Sequence, residues 1–319
     1  MNMKKNVVLL SLAILSTFVL LSQTSAANPP ANAEELVAQH LDSIASAAVR
    51  TGLKTRLVRG PVRFNILNGA SGYIDGTGVL VSDGRKFQLM MKLQNNDYRG
   101  EQFVFDGDKD KVALSTAQKS RSNFGNFVFV QNAVLQEGLL GGTLTTAWPL
   151  LKLDDRKAKL SFGGVKKIDG QEVYDLRYRP HKSTDVEIHL YFDTQNLRHV
   201  ASVYSLSVTQ GLAGDTPGVS GTGLPNAGSA AGGNFPAGGT AGIPSSTETN
   251  QARQQQNRYL LKEKFTDFTT TDGVTLPTHY EIQFTQELQT GSTTVSDWDL
   301  KPLDISNNAP VDGRNFDVK

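Results

Sequence analysis

The sequence predicts a mainly antiparallel β protein with helices, of the α+β class, on three observations. Apolar residues alternate with polar ones over much of the chain, as in Val186, Ile188, Leu190 and Phe192 against Glu187, His189 and Tyr191. This is the period-two pattern of a strand wet on one side. Asp-Gly pairs begin at Asp75, Asp83, Asp106, Asp169, Asp272 and Asp312, and at least four stand between strand-like runs. Both residue types tolerate positive φ, so such pairs suit hairpin turns. Helical spacing appears in two stretches, one near the start and one in the middle.

The chain opens with Lys4 and Lys5, an apolar to weakly polar run from Val7 to Leu21, and small residues through Ala27. The pattern is that of a cleaved secretory signal peptide, residues 1–26. Its fifteen-residue run falls short of the roughly 20 residues that cross a bilayer. There is no cysteine, so disulfides, thiolate metal sites and the lipid-bearing cysteine of a bacterial lipoprotein are not expected. A periplasmic or secreted protein is expected. The 32 basic residues, less the two leader lysines, leave 30 against 31 acidic ones. That balance gives no reason to expect nucleic acid or an anionic membrane as partner.

From Ala33 to Val49, Leu36, Val37, Leu41, Ile44, Ala45 and Ala48 recur at helical spacing behind Glu34 and Glu35, which predicts one N-terminal amphipathic helix. Strands follow at Val62 to Ile66, Val79 to Val81, Phe87 to Leu93, Phe103 to Phe105, and Val112 to Leu114. From Asn132 to Leu151 the apolar spacing turns helical, and Pro149 should end the segment. Gly138, Gly141 and Gly142 each cost a helix about 1 kcal/mol relative to Ala, so packing must hold it. It reads either as an ordinary helix covering the sheet or as a movable lid with glycine hinges.

Strands resume at Leu160 to Phe162, Val173 to Arg179, Val186 to Phe192, Val200 to Val208, Tyr259 to Phe268 and His279 to Leu288. With a two- or four-residue turn over Asp193 to Asn196, Phe192 would face Leu197, Leu190 His199, Ile188 Ala201 and Val186 Val203. Between Thr271 and Pro277 the proline suggests a sheet edge or the start of a strand. Residues 211–256 are Gly, Ala, Ser, Pro and Thr with few large apolar side chains, a composition expected to be a disordered insertion within a hairpin. The rest of 28–319 is expected to be a single domain.

The five histidines, at 40, 181, 189, 199 and 279, form no metal-ligand spacing. Glu187 and His189 share a strand face, with His199 pointing the other way; the expected reading is a solvated strand face, with a small polar site as the alternative. Gly76-Thr-Gly78 precedes a strand, where a phosphate loop needs a helix, and no Gly-x-Ser-x-Gly elbow occurs. The residues therefore imply no catalytic site, no metal and no cofactor.

Three segments carry a family resemblance: Lys166-Lys-Ile-Asp-Gly-Gln-Glu-Val-Tyr-Asp-Leu-Arg-Tyr178, Ile188-His-Leu-Tyr-Phe-Asp193, and Phe265-Thr-Asp-Phe-Thr-Thr-Thr-Asp-Gly-Val-Thr-Leu-Pro277. They resemble the outer-membrane lipoprotein-sorting-protein-like group of the LolA/LolB-like superfamily. The resemblance implies a curved, half-closed β-barrel with an N-terminal helix and a helical lid over a concave apolar face that accepts acyl chains. On that picture Phe64, Leu89, Met91, Phe103, Phe105, Ile188, Leu190 and Phe192 are the candidate ligand-binding residues, and Leu135, Leu139, Leu144 and Trp148 the lid. The function expected is a periplasmic binding protein or chaperone for a lipid or lipoprotein, as a monomer. The alternative is an envelope regulatory module that binds a membrane-protein partner through the same half-barrel; an enzyme on this scaffold ranks third.

Overall fold

The computed structural model describes residues 29–67, 72–209, 256–301 and 303–318. The expected signal peptide and residues 211–255 of the expected insertion lie outside the described residues; Gln256 already belongs to a strand.

Hairpins build the fold. The first half of the chain gives β1 (Thr55–Ile66), β2 (Tyr73–Asp83), β3 (Lys86–Leu93), β4 (Gly100–Phe105) and β5 (Asp110–Val112). The second half gives β6 (Lys159–Ile168), β7 (Gln171–Arg179), β8 (Glu187–Asp193), β9 (His199–Thr209), β10 (Gln256–Thr271), β11 (Val274–Glu287), β12 (Thr293–Leu300) and β13 (Asp304–Asn307). Among the described residues all thirteen join one antiparallel sheet, ordered β5-β4-β3-β2-β1-β12-β11-β10-β9-β8-β7-β6, with β13 also beside β1. The chain thus builds outward from β1 to one edge, restarts at the far edge with β6, and returns to β1. The seam runs from Val62 opposite Leu300 to Ile66 opposite Ser296. The edges β5 and β6 do not pair, so the barrel stays half closed.

Four Asp-Gly pairs make the turns β2–β3, β4–β5, β6–β7 and β10–β11, with Gly84, Gly107, Gly170 and Gly273 at positive φ. Asp75-Gly76 instead lies inside β2, opposite Arg63 and Val62; a side chain at Gly76 would collide with the Lys92 carbonyl of β3. Asp312 caps a 3-10 turn, Gly313–Phe316, by accepting from the Arg314 N–H at 2.9 Å. Pro277 falls near the start of β11, before β12 begins to pair at Tyr280, where its missing N–H costs the ladder little.

The structure corrects four sequence expectations. The N-terminal helix is two, α1 (Ala33–Ile44) and α2 (Ala47–Gly52), because Ala45 is extended and Ser46 starts a new helix by capping Val49 N–H. Leu114 lies beyond β5 and is exposed. The β8–β9 register is shifted: Ile188 faces Tyr204, Leu190 faces Ser202 and Phe192 faces His199, with a bulge at Tyr191/Phe192. The turn that sets it runs through Leu197 at φ +57°, a left-handed residue no pattern announces. Finally, the stretch 132–151 is no continuous helix. It holds α4 (Ala133–Gln136) and 3-10 turns at Gly142–Leu144 and Pro149–Lys152, and α5 (Leu153–Arg156) follows; Pro149 starts a turn rather than ending a helix. Between α4 and α5, Gly138, Gly141 and Gly142 all take positive φ, which breaks any helix.

One helix escaped the pattern. Asn123–Val130, here numbered α3 between α2 and α4, is rich in Phe and Val, yet Ser122 caps it and Phe124, Phe127 and Val128 are buried. Phe124 meets Phe103 of β4, Phe284 of β11 and Trp298 of β12 at ring distances of 5.0, 5.7 and 5.0 Å. The sheet therefore curls around α1, α3 and residues 133–156, and the main apolar core fills its concave side.

Candidate functional site

Residues 133–156, here termed the cover, close over the concave face. The sheet contributes the candidate residues Phe64, Leu89, Met91, Phe103, Phe105, Ile188, Leu190 and Phe192, each at most 6% exposed. Leu135, Leu139, Leu144 and Trp148 of the cover are at most 1% exposed and belong to the same apolar cluster. The structure brings all twelve together in one core. At about 25 cal/mol per Å² of apolar surface, that burial is what favours the closed arrangement.

Because the cover is made of one-turn helical pieces joined by irregular backbone, a number of its backbone polar groups need partners from the sheet. Side chains of the concave face supply them. Arg56 of β1, 1% exposed, donates from Nη1 to the Thr143 carbonyl (2.5 Å) and from Nε to Asn307 Oδ1 (2.8 Å). Burial lowers its pKa to about 10, so it stays charged. Glu263 of β10 accepts the Gly141 N–H (2.7 Å) and the Tyr204 hydroxyl (2.7 Å), and also the Tyr280 hydroxyl. The Tyr204 hydroxyl also lies 3.3 Å from the Leu139 carbonyl. Ser82 Oγ accepts the Thr146 N–H at 2.9 Å, and Arg156 holds the Ala147 carbonyl at 2.8 Å from within the cover. Burial pushes the Glu263 pKa up to about 7 against these hydrogen bonds.

Two histidines sit beneath Trp148. His40 of α1 donates from Nδ1 to the Leu197 carbonyl (2.9 Å), which leaves Nε2 to accept the Trp148 indole N–H (3.4 Å). Both nitrogens are then satisfied in the neutral ring, and burial lowers its pKa to about 4. The His199 ring lies tilted against Trp148, at 4.6 Å between ring centres, and its pKa is held well below the ordinary value, first by burial and then by His40. A side chain at Gly142 would come within 2.8 Å of the His199 ring, so the glycine allows cover and floor to touch.

Other polar features lie outside the concave face. On the outer face, Asp175 takes His189 Nδ1 at 2.7 Å and Lys166 at 2.8 Å; burial works against its charge, but these partners hold its pKa below the ordinary value. Glu187 is exposed, and His199 faces the core, opposite to Glu187 and His189 as the alternation predicts. A cavity of about 250 Å³ beside Asp169, Lys262 and Lys264 is polar, and one of about 230 Å³ lies at the β10–β11 end among Thr269, Thr278 and Asp304. None of the twelve candidate residues lines either cavity. Among the described residues no group of three or more His, Cys, Asp or Glu is placed to hold a metal, and no helix is long and apolar enough to cross a membrane.

The clasp residues Arg56, Tyr204, Glu263 and Tyr280 were not singled out from the sequence. Their signal was phase: Arg56 falls in step with Val58, Val62 and Phe64, and Glu263 with Leu261 and Phe265, each a charge on an apolar strand face.

No family model and no curated protein matches the chain. Solved structures do. A LolA superfamily protein from Nitrosomonas europaea is 12% identical, covering 90% of this chain and 97% of its own, with a TM-score of 0.39. A putative outer membrane lipoprotein-sorting protein domain from Vibrio parahaemolyticus is 9% identical over 88% and 97%, at 0.36. A DUF1329 family protein from Desulfovibrio piger is 10% identical over 91% and 98%, at 0.34. The first two carry the names of the group that the sequence resembles; at these scores they say nothing of ligand or residues.

Proposed function

We propose that the protein is a periplasmic binding protein or chaperone for a hydrophobic acyl-chain ligand, a lipid or a lipoprotein, which enters the half-barrel when the cover moves aside. One observation carries this reading. The apolar core is divided between a hydrogen-bonded sheet and a cover of one-turn helical pieces joined by irregular backbone, which side-chain to backbone hydrogen bonds tie to the sheet. Such a cover can leave without breaking the sheet, and local openings of this kind draw on the less stable parts of a fold. Its departure exposes Ile188, Leu190 and Phe192, where an acyl chain replaces Leu139, Leu144 and Trp148 and recovers their apolar burial. The concave wall needs no charged anchor for such a guest. Residues 1–26 act as the cleaved leader that delivers the chain to the periplasm.

Native mass spectrometry of protein purified from periplasm, followed by organic extraction, tests the reading. A bound lipid mass supports it. Its absence, together with unchanged Trp148 fluorescence on adding monomeric palmitate, would overturn it in favour of a module that engages a membrane-protein partner.

A further inference from the structure

Glu263 is the sheet's one carboxylate contact with the cover backbone among the hydrogen bonds described above, and the groups around it can exist in two arrangements. Its Oε1 accepts the Gly141 N–H at 2.7 Å and the Tyr280 hydroxyl; its Oε2 lies 2.7 Å from the Tyr204 hydroxyl. That hydroxyl lies 3.3 Å from the Leu139 carbonyl, so it has two acceptors for one proton. With the acid ionised, Tyr204 donates to Oε2, and Leu139 keeps only the Gly142 N–H, at 3.2 Å. With the acid neutral, Oε2–H donates to the Tyr204 oxygen, and the Tyr204 proton turns to Leu139. An unbroken chain then runs from acid to phenol to cover carbonyl, while Gly141 stays bound to Oε1.

We propose that Glu263 is a proton-sensitive latch on the cover, tightest when the acid is neutral and loosened as it ionises. The groups facing it from each packed element are few. β9 presents Tyr204, β11 presents Tyr280, and the cover presents the Gly141 N–H. Arg56 is committed to Thr143 and Asn307, and neutral His199 lies beyond Gly142. Among the described residues no lysine or arginine pairs with the carboxylate, so closing the cover over it favours the neutral acid. The free energy linkage is reciprocal: if closure raises the pKa from 4.5 to about 7, rising pH favours the open cover. The inference rests on the proposed movement of the cover, but its test requires no ligand.

Hydrogen exchange by mass spectrometry, read on the 139–146 amides of the ligand-free protein and corrected for intrinsic rates, measures docking directly. From pH 5.5 to pH 8 the protection should fall by up to roughly thirtyfold, the ratio set by pKa values of 4.5 open and about 7 closed. Glu263→Gln presents a neutral amide in the same place and should hold the low-pH protection at both pH values. Tyr204→Phe breaks the chain to Leu139 and should show the weaker protection even at pH 5.5. Protection independent of pH in the wild type, or Glu263→Gln retaining the full wild-type pH dependence, would overturn the latch. Either failure would leave acyl-chain binding standing; absence of bound lipid with a working latch would remove the ligand reading alone.

Discussion

Arg56 reaches from the floor of β1 to the Thr143 carbonyl at 2.5 Å, so a buried guanidinium on the sheet holds the backbone of the segment that covers it. Removing the side chain leaves the Thr143 carbonyl and Asn307 Oδ1 without this donor, each costing about 1–3 kcal/mol if it stays dry. Arg56→Ala is therefore expected to destabilise the protein by about 2–4 kcal/mol in urea unfolding and to speed exchange of the 142–146 amides at all pH values. A loss below about 1 kcal/mol would show that the clasp contributes little.

Gly142 marks where cover and floor meet. At φ +47°, with the His199 ring 2.8 Å from any added Cβ, Gly142→Ala should cost backbone strain plus a clash. Gly164, at φ +76° with open space around it, is the control, and Gly164→Ala should cost only the left-handed penalty, roughly 1–2 kcal/mol. Equal losses in thermal unfolding of the two variants would remove the close approach from the account.

Buried acids and histidines set opposite limbs of stability against pH. Glu263 and Glu101 are raised from 4.5 to about 7, and Asp297 from 3.8 to about 6, all first by burial. Raised groups give stability fully present below their unfolded values and lost as pH rises through the folded ones. His40, lowered from 6.5 to about 4, does the reverse: its contribution is present above 6.5 and lost as pH falls through 4. The melting temperature should peak on the acid side of neutrality and decline between pH 6 and pH 8. Glu101→Gln, which keeps an acceptor for Tyr98 and Ser122, should flatten that decline; a wild-type melting temperature constant over this range would contradict the assignment.

The β9–β10 hairpin remains paired out to Thr209 opposite Gln256, so a short Gly-Ser turn can join the two strands in place of residues 211–255. The melting temperature of this deletion should stay within about 10 °C of the parent, a span worth several kcal/mol in a domain of this size. A larger drop would mean that the excised residues pack on the fold.

The strands were legible because one wet face forces alternation, and Asp-Gly turns marked their ends. Legibility failed where tertiary contacts outweigh local preference. Asn123–Val130 carries β-forming Phe and Val but becomes a helix because that places Phe124 and Phe127 under Trp298 and Phe284. The hairpin register could not be read because Leu197 adopts a left-handed turn that leucine rarely takes. The buried concave face was legible in the alternation of its apolar residues. The clasp was half visible: Arg56 and Glu263 are charges in phase with the apolar residues of their strands, but their partners are the backbones of Thr143 and Gly141, which carry no side-chain signature.

On the proposed reading, the cover must move for an acyl chain to enter. The chain has no cysteine, and the Thr146 N–H lies 2.9 Å from Ser82 Oγ, so Ser82→Cys with Thr146→Cys offers a disulfide that pins the cover to β2. Palmitate binding by the oxidised and the reduced protein is the measurement. The reduced protein should bind, the oxidised protein should lose at least about tenfold in affinity (about 1.4 kcal/mol), and reduction should restore binding. Equal affinity in both states, with the disulfide verified by mass, would contradict it.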